Sequence, residues 1–472
     1  MAHRPCFPTV VFALAGLLAV AQPAHAQAPL DELVGGSYMG FPGGLYPGGN
    51  QPPASQADAA RAALVGVVPR AADGSPDPMG TIGFISIGMS NTSEEFRWFE
   101  RNEDANAARQ AGIVFVNGAI GSHPSEFWAA PTNAAWDILA ARVAAAGVAP
   151  PQVQVAWVKL ARGTVSDLRF PQHAGQLRDD LREVVRNARA RFPNLRVAWL
   201  SSRIWGGWND NPQRNEPLSY ESAFAVRWLI EDQIAGDPRL GAGSAPVVLW
   251  GPYLWAAGDT PRSDGLSWPQ ADFEPDFIHP NDDGERKVGA LLSTFFNEDP
   301  IASPWYRARS ATRLLRVDAI ADAAVQQAQP GVNFGGQVSL QLNGANGAIA
   351  RSYLRFPVEA VQAAPLHALV KGLVGIPATP LLRQSAPGWT ETGVTFSNAP
   401  GPHGAELGPT ALFTTSFGMQ VAAALQSPAA TLDLVAFTSA TTAGVLRSRE
   451  SGHGPYLLVR LADDGLFESG FE

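Results

Sequence analysis

Two short segments of this 472-residue chain carry the residue types that nucleophilic catalysis needs. In the first, an apolar run leads into Gly88-Met89-Ser90-Asn91-Thr92, and EEFRWFE then begins a helical pattern. A serine at such a strand-to-helix corner presents its hydroxyl at the carboxyl end of a sheet. Its backbone N–H lies at a helix start, where unpaired donors and the helix dipole favour developing negative charge. Capping of that helix by Ser90, Asn91 or Thr92 is the plainer reading of the same residues. The second segment, Asp276-Phe277-Ile278-His279-Pro280-Asn281, offers an imidazole base and, three residues earlier, a carboxylate that can fix its tautomer. Pro280 reads as the first residue of the helix that continues NDDGERKVGALLSTFF, which puts His279 at a helix N-terminus and favours a neutral imidazole.

The elements that must position these groups are legible as apolar runs at 82–88, 113–116, 153–158, 196–200 and 247–250. Amphipathic helical stretches lie between them, clearest at 172–191 and 219–234. Strands apolar throughout and separated by helices indicate parallel strands covered on both faces, an α/β layer fold of about five strands over 58–303. Residues 27–57, rich in Gly and Pro, read as an extended leader. From 304 to 472 helical periodicity fades, and segments such as VSLQL, SYLRF, ATLDLVAF and PYLLVRL recur between Gly, Pro, Asn and Ser clusters, as in an antiparallel β-sandwich. That region holds 11 basic and 11 acidic residues, so the net charge of −9 belongs to what precedes it. Eleven of the 13 tryptophans lie between Trp98 and Trp268, which again separates two domains.

Residues 1–26 read as a signal peptide: Arg4, an apolar run over 10–20, then Ala24-His25-Ala26 as a cleavage site before Gln27. The run is too short to span a bilayer, so no membrane insertion is expected, and the product is read as secreted. The single cysteine, Cys6, falls within this segment, leaving no disulfide or thiolate chemistry afterwards. An acidic chain without a basic stripe is a poor nucleic-acid ligand. No cluster has metal-ligand spacing and no GxGxxG or Walker loop occurs, so neither metal nor cofactor is expected. Acidic residues Asp282 and Asp283 are accounted for by the first turn of a helix.

GMSNT after the first strand and DFIHP before the last helix resemble the SGNH (GDSL-type) hydrolases over roughly 75–300. The resemblance implies a flavodoxin-like three-layer sandwich and a catalytic triad of Ser90, His279 and Asp276. It extends to the second block, Asn117 to Ser122, where a backbone N–H of Gly121 or Ser122 would join that of Ser90 in an oxyanion hole. Two departures stand out. Met89 replaces the aspartate usual before the serine, and the third block reads WVKLAR, without the asparagine that usually donates to the oxyanion. Lys159 is the candidate replacement as a cationic donor. RSYLRFPVEAV, PGWTETGVTFSNAPGP and SRESGHGPYLLVRL resemble DNRLRE-type β-sandwich modules, jelly-roll-like and similar to carbohydrate-binding modules. The closing DDGLFESGFE is an acidic tail with aromatic tips.

Loops after the fourth and fifth strands carry Arg203, Trp205, Trp208, Tyr253, Trp255 and Trp268, which with Asn117 are expected to bind substrate, since ligands of open α/β sheets sit beyond the strands' carboxyl ends. The expected activity is a secreted serine esterase removing acyl groups, such as acetyl, from a polysaccharide or small ester. The alternative is a non-catalytic glycan-binding or adhesion protein on the same fold.

Overall fold

Runs with no polar face become central strands because helices cover both their sides. They are β1 (Ile82–Gly88), β2 (Ile113–Val116), β3 (Val153–Lys159), β4 (Val197–Leu200) and β5 (Val247–Trp250). All are parallel, in the spatial order β2-β1-β3-β4-β5. That order reverses between β1 and β3, the position where such sheets open a crevice for ligands. This computed structural model describes residues 27–426 and 429–463. The expected signal peptide, with Cys6, and the acidic tail from 464 onward lie outside the described residues.

Helices α1 (Ala54–Val65), α2 (Ser90–Glu103) and α6 (Asp282–Glu298) cover one face of the sheet, in a core built from Phe84, Phe96, Phe115, Trp157, Trp199 and Phe296. Helices α3 (Ala135–Ala145), α4 (Gln172–Arg191) and α5 (Leu218–Ile234) cover the other, around Ile85, Ile87, Val158, Leu181 and Phe224. The result is the expected three-layer α/β sandwich. The leader departs from expectation. Leu30 and Tyr46 are buried in the core, and the Arg227 guanidinium donates to the carbonyls of Pro42, Gly43 and Gly44. Tyr46 Oη accepts from the Trp250 N–H at 2.9 Å. Glycine and proline there shape a strap that α5 holds by backbone carbonyls, which leaves no periodic trace in sequence.

The second domain consists of β6 (Thr312–Asp318), β7 (Ala321–Gln326), β8 (Ser339–Leu342), β9 (Ala350–Pro357), β10 (His367–Ile376), β11 (Leu381–Ser385), β12 (Pro402–Leu407), β13 (Ser416–Gln420), β14 (Thr431–Phe437), β15 (Gly444–Arg447) and β16 (Tyr456–Ala462). One sheet runs β8-β15-β10-β16-β6 with β13 also on β10, and the other runs β12-β11-β14-β9-β7. Every pairing is antiparallel. Leu340, Leu354, Phe356, Val370, Leu434 and Val459 fill the space between the sheets. The junction lies slightly later than residue 303, because Trp305 and Tyr306 are packed in the first domain's core.

The two domains are joined by buried charge as well as apolar contact. Asp104, just after α2, accepts from Arg109 at 3.0 Å, from Lys371 of β10 at 2.5 Å and from the Tyr456 hydroxyl at 2.8 Å. Ser416 Oγ donates to Glu100 at 3.2 Å, and Arg460 donates to the Gly80 carbonyl at 2.8 Å. Arg447 reaches Asp282 at 2.7 Å, and His367 bonds the Ala146 carbonyl at 2.8 Å. The sandwich thus clasps the outer side of α2, the helix that begins at Ser90.

Asp322 of β7 is buried, with Oδ2 accepting from the Arg449 N–H at 2.9 Å and Oδ1 without a partner among the described residues. Burial first, and then Glu450 and Glu391, push its carboxyl up to about 7. A carboxyl raised in the fold stabilises below its unfolded value, and that contribution is lost as pH rises through the folded one. The wild-type melting temperature is therefore expected to fall between about pH 5 and about pH 8, and Asp322→Asn to flatten that fall. Parallel curves for the two proteins would contradict this assignment.

Candidate active site

The serine corner requires the glycine before it. A Cβ on Gly88 would stand 2.2 Å from Thr92 Oγ1 and 2.5 Å from the Lys159 carbonyl, so the β1–α2 turn closes this tightly only on glycine. Met89 occupies the N-cap position with no side-chain cap bond, and Ser90 is the first helical residue. The plain capping reading of the corner is thereby corrected: Thr92 Oγ1 is spent on the Lys159 carbonyl at 2.6 Å, and the Ser90 hydroxyl points elsewhere.

It meets a histidine. Ser90 Oγ lies 2.8 Å from His279 Nε2, and His279 Nδ1 lies 2.6 Å from Asp276 Oδ2. A carboxylate on Nδ1 selects the tautomer with its proton there, leaving Nε2 free to accept from the serine. The Asp276–His279 turn passes through Phe277 at φ 54°, a left-handed conformation that folds four residues tightly enough for the contact. Asp276 Oδ1 accepts from the N–H groups of Ile278 and His279 at 2.9 and 3.0 Å. Burial alone would raise this carboxyl, but those N–H groups and the imidazole hold it below the usual aspartate range. Asn91 Nδ2 donates to the Ile278 carbonyl at 2.9 Å, so the residue next to the serine braces the histidine loop. That brace could be found only from the structure, since its partners are 187 residues apart. Asn281, not Pro280, caps α6, accepting from Asp283 and Gly284 N–H groups. Pro280 therefore lies one residue before the cap, and His279 does not sit on the helix's first turn.

Gly121 is packed against Ser90, its notional Cβ 3.8 Å from the serine's Cβ, and Ser122 lines the adjoining cavity. The loop is pinned by the Ile120 N–H on the Gly88 carbonyl at 3.0 Å and by His123 Nδ1 against the Gly121 carbonyl at 2.8 Å. The N–H groups of Ser90, Gly121 and Ser122 have no acceptor among the described residues. His123 thus orients a candidate donor loop.

Lys159 lines the same cavity, but its ammonium is bonded to buried Glu95. The expectation of a free cationic donor is corrected to one half of a buried ion pair. Burial pushes Glu95 up to about 7 and the Lys159 ammonium down, each restrained by the other's charge. Removing one partner of such a pair costs about 3–5 kcal/mol, whereas replacing both by neutral groups costs far less. Lys159→Met is expected to destabilise on that scale in urea unfolding, and Lys159→Met with Glu95→Gln to recover most of the loss. Additive losses would show that the pair is not coupled.

The cavity, about 410 Å³, is lined by Ser90, His279, Ser122, Glu126, Lys159, Arg203, Trp205 and Arg214 among others. Of the expected substrate residues, Arg203 and Trp205 are therefore at the cavity. The others are not. Asn117 is buried with its amide on the Ser93 carbonyl at 2.7 Å and on Ser416 Oγ at 3.1 Å, so it joins the domains. Trp255 and Trp268 are fully buried, their indole N–H groups on Glu216 and on the Leu254 carbonyl. Tyr253 is buried with its hydroxyl accepting from Leu30, and Trp208 donates to the Trp268 carbonyl. These rings pack the strands' carboxyl ends and do not form a binding platform. A wider groove of about 1270 Å³ lies on the second domain, lined by Glu359, Gln384, His403 and Asp433 among others.

No curated protein matches the sequence. A solved structure described as a gut microbial diltiazem-metabolizing enzyme aligns at 13% identity and a TM-score of 0.26, over 66% of this chain and 60% of that one. The chain thus spans less than two thirds of that protein's length. Residues 314–460, which comprise nearly all of the β-sandwich, match carbohydrate-binding module family 96.

Proposed function

We propose that the chain is a secreted serine esterase that removes acyl groups from a polysaccharide or a related ester. The observation that carries this reading is the continuous contact from Ser90 Oγ through His279 to Asp276, with the hydroxyl at the wall of a cavity. Ser90 Oγ attacks the ester carbonyl while His279 Nε2 takes its proton. The tetrahedral oxyanion is received by N–H groups of Ser90 and of Gly121 or Ser122, which have no other partner to release. His279 then protonates the departing alcohol, and the acyl group stays on Ser90. Water, deprotonated by the same imidazole, releases the acid. Asp276 holds the ring and offsets its charge throughout. The match to a carbohydrate-binding module supports a saccharide-borne ester as substrate, and a signal peptide at 1–26 would carry the product out of the cytoplasm. The test is hydrolysis of short-chain aryl esters and of an acetylated polysaccharide by the purified protein. Turnover of none of them would remove the reading.

A further inference from the structure

Two guanidinium groups at the cavity wall, those of Arg203 and Arg214, have no carboxylate within ion-pair distance among the described residues. Arg203 donates through Nη2 to the Arg214 carbonyl at 2.7 Å, and its Nε and Nη1 have no acceptor among the described residues. Arg214 uses only Nη1, on the carbonyls of Arg162 and Gln213 at 3.1 and 3.3 Å. Most other arginines of the α/β domain near the sheet's carboxyl end are neutralised: Arg162 by Asp180, Arg262 by Asp264 and Arg97 by Glu285. Carboxylates near the pair are already engaged. Glu216 accepts from Gly206, Tyr220 and Trp255, and Glu126 accepts from Gly163 and Thr164. Lys159 is balanced by Glu95.

Both residues are half-buried, and their unpaired nitrogens keep some exposure to the cavity. Burial pulls Arg203 down to about 10, with Glu216 offsetting only part of the effect. Arg203 and Arg214 line the cavity that Ser90 also lines, and the planar fork of a guanidinium matches a carboxylate in shape and charge.

We propose that this cavity selects esters whose alcohol part carries a carboxylate, which Arg203 and Arg214 receive while Ser90 attacks the neighbouring acyl group. A hexuronic acid esterified with an acetyl group has this chemistry. The inference rests on the esterase reading for its catalytic half only, because recognition of the carboxylate is measurable without turnover.

The test compares an O-acetylated methyl glucuronide with the same acetyl ester of methyl glucoside, which differ only at the carboxylate. Wild type is expected to favour the glucuronide by about tenfold or more in kcat/KM, mostly through KM. Arg203→Gln and Arg214→Gln should each bring that ratio toward one, and Arg203→Lys should keep part of it. A wild-type ratio of one or less overturns the proposal. So does a ratio that survives both glutamine variants. An equal fall in kcat on both esters, with the ratio kept, would assign Arg203 to the oxyanion and likewise overturn it. If wild type turns over neither ester, the esterase reading fails, and thermal shift with unacetylated methyl glucuronide against methyl glucoside decides recognition alone. Stabilisation by the glucuronide only supports the carboxylate site, and equal or absent stabilisation overturns it.

Discussion

Ser90→Ala is expected to lower ester turnover by at least about ten-thousandfold while leaving the melting temperature close to wild type. The hydroxyl makes one strong contact, to His279, and its loss opens no core cavity because the residue lies at the cavity wall. His279→Ala should cost about as much, and the double variant no more than either alone, since nucleophile and base act as one unit. Asp276→Ala should be roughly a hundredfold less severe, because this carboxylate orients the ring and takes no proton. Turnover near the wild-type level in a folded Ser90→Ala protein would leave the Ser90–His279 contact as a structural hydrogen bond.

The second large effect concerns the junction of the domains. Lys371→Met removes an ammonium that bonds Asp104 and lies 3.6 Å from Glu100, all three being buried. Breaking a buried pair by taking one partner costs about 3–5 kcal/mol, since the remaining charge cannot reach water. Both domains contribute to the cluster, so denaturant unfolding should stay a single transition moved to lower midpoint. A chain ending at residue 303 should fare worse, being left with Glu100, Asp104 and Arg142 bereft of Ser416, Lys371 and Leu412. It is expected to be insoluble or to unfold without cooperativity. Two independent transitions in the full chain, with Lys371→Met shifting only one, would show the sandwich to be an appended module. The clasp on α2 thus gives the second domain a part in holding the helix that begins at Ser90, besides any ligand of its own.

These expectations reach beyond what the sequence made legible, and the reasons are physical. The five strands of the sheet were readable because burial on both faces leaves each as a short apolar run, a local signal. Ser90 and the Asp276–His279 turn were readable because each lies within a few residues of a helix start, where turn chemistry is also local. Their 2.8 Å meeting is not local, and only the resemblance brought the two segments together beforehand. The same limit hid Asn117, whose partner Ser416 is 299 residues away, and Lys371, which is 267 residues from Asp104. A tryptophan in a loop after a strand has the same composition whether it faces a ligand or a core. Trp255 and Trp268 turned inward, leaving Trp205 at the cavity. The strap at 27–57 is held by carbonyls, and carbonyls carry no residue identity. Arg203 is named from sequence as a loop arginine and Arg214 is not, and the lack of an ion-pair partner for either among the described residues is visible only in three dimensions.

In the proposed reaction Ser90 forms a covalent acyl-enzyme. Its most direct measurement is mass spectrometry of the protein quenched in acid during turnover of an aryl acetate, followed by peptide mapping. One acetyl increment is expected, confined to the peptide that holds Ser90 and absent from Ser90→Ala. Active protein with no increment on that peptide, or with the acyl group on another residue, would contradict it.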